Sequence, residues 1–330
     1  MTMTQTRRRF LSTTAVAGAV ATLPLRGAAA LEPPPEMKTV RLAKEPVICF
    51  APQYVCEELL RAEGFAEIRY VDIAIPARPA ELGSGHVDFA SGLSLDHIIG
   101  IDRGAPITIV SGVHGGCYEL FVHGAVRAIA DLKGKRVGET GSAALVSLMA
   151  AWVGLDPRKD LTLVTDPDAT EQFAAGKLDA HLAFPPEVQE LHARNAGQVI
   201  LKTAVDRPWS QYFCCALAAN REFATRRPVA TKRVIRAFVK AAELCASAPE
   251  KAAQQLVDGG FTPRYDYALQ AIREVPYDLW RDYDPEDTIR FYALRLHELG
   301  MIKRDPKRII AEGTDFRLFH ELKRELKAKS

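Results

Sequence analysis

Acidic side chains are missing from the first thirty residues, and strong net charge is missing from everything after them. Residues 1–30 carry Arg7, Arg8, Arg9 and Arg26 without a single acid; the remainder holds 39 basic and 41 acidic side chains. A body so close to neutral offers nucleic acid no electrostatic footprint. No apolar run is long enough to cross a bilayer. The phosphate-cradling pattern G-x-x-x-x-G-K-[ST] is absent, as are the G-x-S-x-G elbow and the H-E-x-x-H metal motif. Cysteine is scarce: Cys49, Cys56, Cys117, Cys214, Cys215 and Cys245 make six in 330 residues. None forms a CxxC pair or a Cys/His group with metal-ligand spacing. There is no internal repeat of solenoid length.

What is present begins with an address. Thr6-Arg7-Arg8-Arg9-Phe10-Leu11 leads into a mild apolar run to Leu25, then Arg26 and Ala28-Ala29-Ala30. A basic start, a short apolar stretch and an A-x-A-like cleavage site form an export signal over residues 1–30. The arginine pair before Phe-Leu resembles the twin-arginine type, which carries folded proteins across the membrane. The expectation is a free periplasmic protein. Folding in a reducing cytoplasm before export favours buried free thiols over structural disulfides. Residues 31–38, with Pro33-Pro34-Pro35, read as a stiff linker.

Beyond the linker, short apolar segments alternate with amphipathic ones, the pattern of an α/β fold. Strands are expected at Val40–Ala43 with Val47–Phe50, Ile68–Ile73, Val87–Ala90 and Ile107–Val113. A second series follows at Glu119–His123, Lys135–Gly138, Leu161–Val164, Ala180–Phe184 and Val199–Thr203. Helices are expected between them, among them Gln53–Glu63, Asp96–Arg103, Ser142–Val153 and Glu187–Asn195. Gln211–Ala219 reads as extended, and the chain beyond it as mainly helical. It therefore leaves one α/β unit near Gly116, builds another, and returns near Cys214. The expected organisation is one lobe from 39–116 and 216–330, a second from 117–215, and a hinged cleft between them.

The stretch GETGSAALVSLMAAWVGL, Gly138 to Leu155, runs from a strand through a glycine turn into a helix. Leu145, Leu148, Met149 and Trp152 fall at i, i+3, i+4 and i+7, a buried stripe. Gly154 is placed to end the helix, Thr140 and Ser142 to cap its start, and Gly141 to admit a ligand near the backbone. Without a following lysine the turn suits a carboxylate, a sulfonate or a polar heterocycle edge rather than a nucleotide.

The segments around this turn carry a resemblance. "DLKGKRV" from Asp131, "GLDPRKD" from Gly154, "AAGKLDA" from Ala174 and "GSGHVDFA" from Gly83 follow one another as in a known family. The chain resembles periplasmic solute-binding proteins of ABC importers, in the branch for nitrate, taurine, aliphatic sulfonates and thiamine-precursor pyrimidines. The resemblance is close over Val40 to Ala219 and general over the helical C-terminus. It implies two α/β lobes of the type II binding-protein fold, closing on a small molecule that passes to an inner-membrane permease. It also implies ligand-contacting loops at Cys49–Tyr54, Ser91–Asp96, His114–Tyr118, Thr140–Ala144, Phe184–Glu187 and Trp209–Cys214.

Within those loops the candidate contacts are Gln53, Tyr54, Ser91, Ser94, His114, Tyr118, Thr140, Ser142, Phe184, Glu187, Trp209 and Tyr212. Cations are few, so aromatic rings with hydroxyl and amide groups point to a small planar or anionic organic solute, heteroaromatic or a monocarboxylate. Tyr54, Trp209 and Tyr212 are favoured as packing contacts because their polar tips need partners; for Phe50, Phe184 and Phe213 the lobe core is the simpler role. No catalytic residue, metal or cofactor is expected, and the protein is expected to be a monomer. Two other functions share the fold. One is a periplasmic sensor; the other is an iron-dependent pyrimidine synthase with a cysteine-rich loop near the return crossing, where this chain has Gln211-Tyr212-Phe213-Cys214-Cys215. Neighbouring cysteines on an extended chain point to opposite sides, so both do not readily reach one metal.

Overall fold

In the computed structural model, residues 32–141 and 143–327 are described; the export-signal segment 1–30 and Ser142 lie outside the described residues. Ten strands appear where β-branched and small apolar residues cluster: β1 Thr39–Lys44, β2 Glu67–Asp72, β3 Phe89–Leu93, β4 Ile107–His114, β5 Glu119–Val122, β6 Lys135–Glu139, β7 Leu161–Thr165, β8 Ala180–Ala183, β9 Gln198–Lys202 and β10 Cys215–Asn220. They form two five-stranded sheets, ordered β2-β1-β3-β10-β4 and β7-β6-β8-β5-β9.

Each sheet is built on one plan. In the first, β1 runs parallel to β2 and β3, and the returning β10 lies antiparallel between β3 and β4. In the second, β6 runs parallel to β7 and β8, and the entering β5 lies antiparallel between β8 and β9. The chain thus passes between sheets twice, over residues 115–118 and 203–214. Central strands such as β3 and β5 are buried along their whole length, as strands covered on both faces must be.

The two passages lie against each other. The Thr203 amide donates to the Tyr118 carbonyl, and the Thr203 hydroxyl both accepts from the Tyr118 amide and donates to its carbonyl. A Cβ on Gly116 would fall 2.0 Å from the Thr203 carbonyl carbon, so only glycine fits there. Ser94 fastens the start of its helix to the second passage by donating to the Phe213 carbonyl at 3.0 Å.

Local details depart from the sequence expectation at three places. Val47–Phe50 is not a strand: Ile48–Phe50 forms a tight turn of helix. The expected helix Gln53–Glu63 is split into Ala51–Val55 and Glu57–Ala62. In the helix Ala143–Trp152, Leu145, Leu148 and Met149 are buried as expected, but Trp152 is half exposed. The helix does end as expected, with Gly154 at φ +85°.

The C-terminal helices tie the two α/β parts together. Pro285–Glu298 packs on both Ser94–Asp102 and Ala143–Trp152, while Tyr265–Glu274 reaches Glu187–Ala193. At the latter contact Gln189 donates to Glu274. No described helix is long and apolar enough to cross a membrane.

Candidate functional site

The ends of β1, β3, β4, β6 and β8 converge on a crevice between the sheets. Its outer part has a volume of about 830 Å³ and is walled by Ile75, Asp96 and Arg103 from one side and by Glu139, Thr140 and Asp166 from the other. Deeper in, Phe50, Arg78, Asp96, Tyr118, Phe184 and Gly141 surround a cavity of only about 20 Å³, room for one water-sized body. The lobes are closed over it: the Ile48 amide donates to the Pro185 carbonyl across the gap at 3.3 Å. Strand ends meeting at a sheet junction are where α/β folds place ligands.

The charge of this crevice is carried by carboxylates. Arg78 is buried, but its guanidinium is committed to Glu45 through two hydrogen bonds of 2.8 and 2.5 Å. Asp96 makes a further contact at 3.3 Å, so one buried cation serves two carboxylates. The Asp96 carboxyl is pushed up to about 6: burial raises it most, Arg78 pulls against that, and Glu45 and Glu139 add to the rise. Glu139 stands on the opposite sheet, so its effect on Asp96 acts across the crevice.

The glycine turn is occupied by its own side chains. Glu139 accepts from the Gly141 amide at 2.7 Å and from the Thr165 hydroxyl. Thr140 donates its hydroxyl to Glu187 at 2.5 Å, and Glu187 also faces the His181 ring at 3.3 Å. From the sequence the turn suits a carboxylate, a sulfonate or a polar heterocycle edge. A carboxylate already fills the Gly141 amide, which makes the turn unfavourable for a second negative group.

The candidate contacts divide accordingly. Tyr118 and Phe184 line the inner cavity next to each other, ring centroids 5.6 Å apart, and Thr140 lines the outer crevice. Glu187 stands behind Thr140, and His114 lies beneath the cavity among thiols. The others belong to the framework. Gln53 bridges β1 and β3 by donating to the Ala43 carbonyl and accepting from the Ser91 amide. Ser91 is buried within β3, and Ser94 is the clamp already described. Tyr54 exchanges hydrogen bonds with the Glu45 backbone and stacks on Phe261 at 4.3 Å. Trp209 is buried against Trp152 and Phe291, and Tyr212 stacks on Phe291 at 4.1 Å. Tyr54, Trp209 and the partly buried Tyr212 therefore pack a core rather than the crevice, Tyr54 through both its hydroxyl and its ring, Trp209 and Tyr212 through their rings. Phe50, expected in the core, lines the cavity beneath Arg78.

Sequence spacing also concealed a cluster. Cys49 from the turn after β1, His114 at the end of β4, Cys117 in the first passage and Cys215 at the start of β10 are all buried. One ligating atom from each lies within 4.8 Å of every other. Cys49 and Cys215 also line the inner cavity. Cys214, Cys215's neighbour, is not one of the four but places its sulfur 3.8 Å from that of Cys117. Burial pushes the Cys49 thiol up, but the neighbouring Cys117 and Cys215 thiols outweigh it and bring the group below its ordinary value. Burial raises Cys117 strongly. The cysteines are unpaired by disulfides.

Three comparisons bear on this arrangement. The periplasmic nitrate-binding protein NrtA of Synechocystis PCC 6803 superposes with a TM-score of 0.75 at 17% identity, over 89% of this chain and 90% of that one. The alkanesulfonate-binding protein SsuA of Xanthomonas axonopodis pv. citri, bound to MOPS, gives 0.66 at 18%, over 82% and 96%. These likenesses fix the fold as the two-lobed periplasmic-binding-protein architecture. In sequence, the 4-amino-5-hydroxymethyl-2-methylpyrimidine phosphate synthase THI12 of Saccharomyces cerevisiae is 22% identical over 284 residues, 79% of each chain. The family model described as NMT1/THI5 like matches residues 70–252, across both sheets and both passages. The chain belongs to the NMT1/THI5-like family.

Proposed function

We propose that this protein is the periplasmic substrate-binding component of an ABC uptake system. It captures one small planar solute by closing its two lobes, with boundaries near residues 117 and 215, and presents the closed form to a membrane permease. The observation that carries the reading is the shared wall of the inner cavity: Phe50 and Asp96 come from the first sheet's side, Tyr118, Phe184 and Gly141 from the second. A solute touching both walls binds the closed state more tightly than the open one, and that difference in affinity is what drives closure.

The carboxylates narrow the solute class. With Arg78 committed to Glu45 and the Gly141 amide to Glu139, a nitrate- or sulfonate-like anion would meet uncompensated negative charge. A neutral or cationic planar compound bearing N–H donors, such as an aminopyrimidine, instead pairs its donors with Asp96 while Tyr118 and Phe184 cover its faces. The 20 Å³ cavity is smaller than any such ring, so entry requires the lobes to part.

A thermal-shift screen of nitrate, sulfonates, aromatic carboxylates and aminopyrimidines tests this, because a compound that binds the native form raises Tm. Stabilisation by donor-bearing heterocycles and none by the oxyanions is expected. Stabilisation by oxyanions alone overturns the solute class.

The yeast relatives support a second reading, a synthase on the same fold. Formation of a pyrimidine phosphate by the purified protein, seen by mass spectrometry, would favour it over capture.

A further inference from the structure

We propose that Cys49, His114, Cys117 and Cys215 form a tetrahedral Cys3His site for a zinc ion, at the floor of the crevice where the chain passes between its two sheets. The assignment stands apart from the uptake function and uses none of the residues that wall the solute crevice from its second sheet.

Four observations converge. The donor set is three sulfurs and one imidazole, the composition of closed four-coordinate zinc sites. The donor atoms all lie within 4.8 Å of one another. Ligands placed about 2.3 Å from a central ion stand roughly 3.8 Å apart, so small side-chain rotations bring these four onto one centre. Every member is buried, and the His114 Nε2 is left there without a hydrogen-bond partner.

His114 supplies the sharpest sign. Its Nδ1 lies 2.5 Å from the Gly115 carbonyl, and a carbonyl only accepts, so that nitrogen carries the proton. Nε2 is then a bare lone pair, and it is buried without a hydrogen-bond partner. Donation from the outer ring nitrogen to a carbonyl is the usual way a metal-binding histidine is fixed in tautomer and orientation.

The backbone holds the ligands in place. Cys215 pairs directly with His114 in the β10–β4 ladder, and the Cys214 amide donates to the His114 carbonyl at 3.1 Å. The Tyr277 hydroxyl donates to the Cys49 carbonyl at 3.0 Å. Entry is available through the inner cavity, which Cys49 and Cys215 border. Binding releases three thiol protons to solvent and leaves three thiolates and a neutral imidazole around a divalent ion, a net charge of −1 at the centre. Such an ion would join the turn after β1 and the first passage to the paired ends of β4 and β10.

The test uses the full-length protein, reduced and freed of metal, titrated with cobalt(II) and then zinc(II). Cobalt should bind at one equivalent with the visible bands of tetrahedral thiolate coordination, and zinc should displace it. X-ray absorption on the zinc form should count three sulfur neighbours and one nitrogen, a readout that needs no variant to fold. Cys49→Ser, Cys117→Ser, Cys215→Ser and His114→Ala should each lose roughly two orders of magnitude in zinc affinity, while Cys245→Ala, outside the cluster, keeps wild-type affinity. Three results overturn the proposal: no stoichiometric cobalt or zinc in the reduced protein, a coordination shell of other composition, or copper(I) bound with His114 dispensable and zinc refused.

Discussion

The Ile48 amide donates to the Pro185 carbonyl at 3.3 Å, and these two residues belong to opposite sides of the crevice. The bond marks a closed state, with the inner cavity shut to the size of one water. The Gly116 backbone, where the chain first passes between sheets, is pressed on Thr203 so closely that a methyl group would overlap the Thr203 carbonyl. Closure and passage geometry are thus set by main-chain contacts, which tolerate little change.

Gly116→Ala should therefore cost about 1–3 kcal/mol of stability, since overpacking against fixed backbone forces a shift rather than a rotamer change. Urea denaturation measures it. An unchanged midpoint would mean that the two passages separate easily.

Arg78→Met should be more damaging. It leaves Glu45, about 1% exposed at its side chain, without its counter-charge, and takes a hydrogen bond from Asp96. Breaking a buried pair from one side costs about 3–5 kcal/mol. A loss below about 1 kcal/mol in chemical denaturation would show that water reaches Glu45.

Asp96 gives a pH signature. Its folded pKa of about 6 stands above the value of 3.8 it has when free, so between those limits the native state holds more protons than the unfolded chain. This group's contribution to stability therefore falls as pH rises from about 4 to about 6. Asp96→Asn, which imitates the protonated form, should stabilise the protein by about 1–2 kcal/mol at pH 7 and by much less at pH 4. Denaturation midpoints across that range check the sign; a variant less stable at pH 7 would contradict it.

Trp209 separates framework from site. Packed on Trp152 and Phe291, it should cost about 3–5 kcal/mol when replaced by alanine, through the cavity left behind. The remaining folded protein should bind its solute with unchanged affinity. Phe184→Ala should do the reverse, weakening the solute by about 1–3 kcal/mol with a smaller effect on stability. Calorimetric titration of both variants distinguishes the roles.

The alternation of apolar and amphipathic segments was enough to locate all ten strands and the two passages between sheets. Local physics governs those features: β-branched runs such as Ile107–Val113, and glycines at positive φ such as Gly64, Gly104 and Gly154 where helices stop. The site was legible in part. Tyr118, Thr140 and Phe184 stand in the crevice, but Tyr54, Trp209 and Tyr212 find partners in Glu45, Trp152 and Phe291, which no local pattern reveals. The polar tip of Tyr54 does have a partner, a backbone group nine residues earlier. Arg78 was missed because it lies in a helix start between prolines, and Glu139 because it ends a strand. The thiol–imidazole cluster was hidden for a similar reason. Its members come from four separate segments, and only the topology of the two passages brings them to one point.

Small-angle X-ray scattering of the purified protein, with and without a compound that raises its Tm, tests the account most directly. Closure on a solute predicts a more extended free protein and a smaller radius of gyration when the compound is added, and no contraction in Phe184→Ala at the same concentration. An identical scattering profile with a bound, stabilising compound would contradict capture between moving lobes.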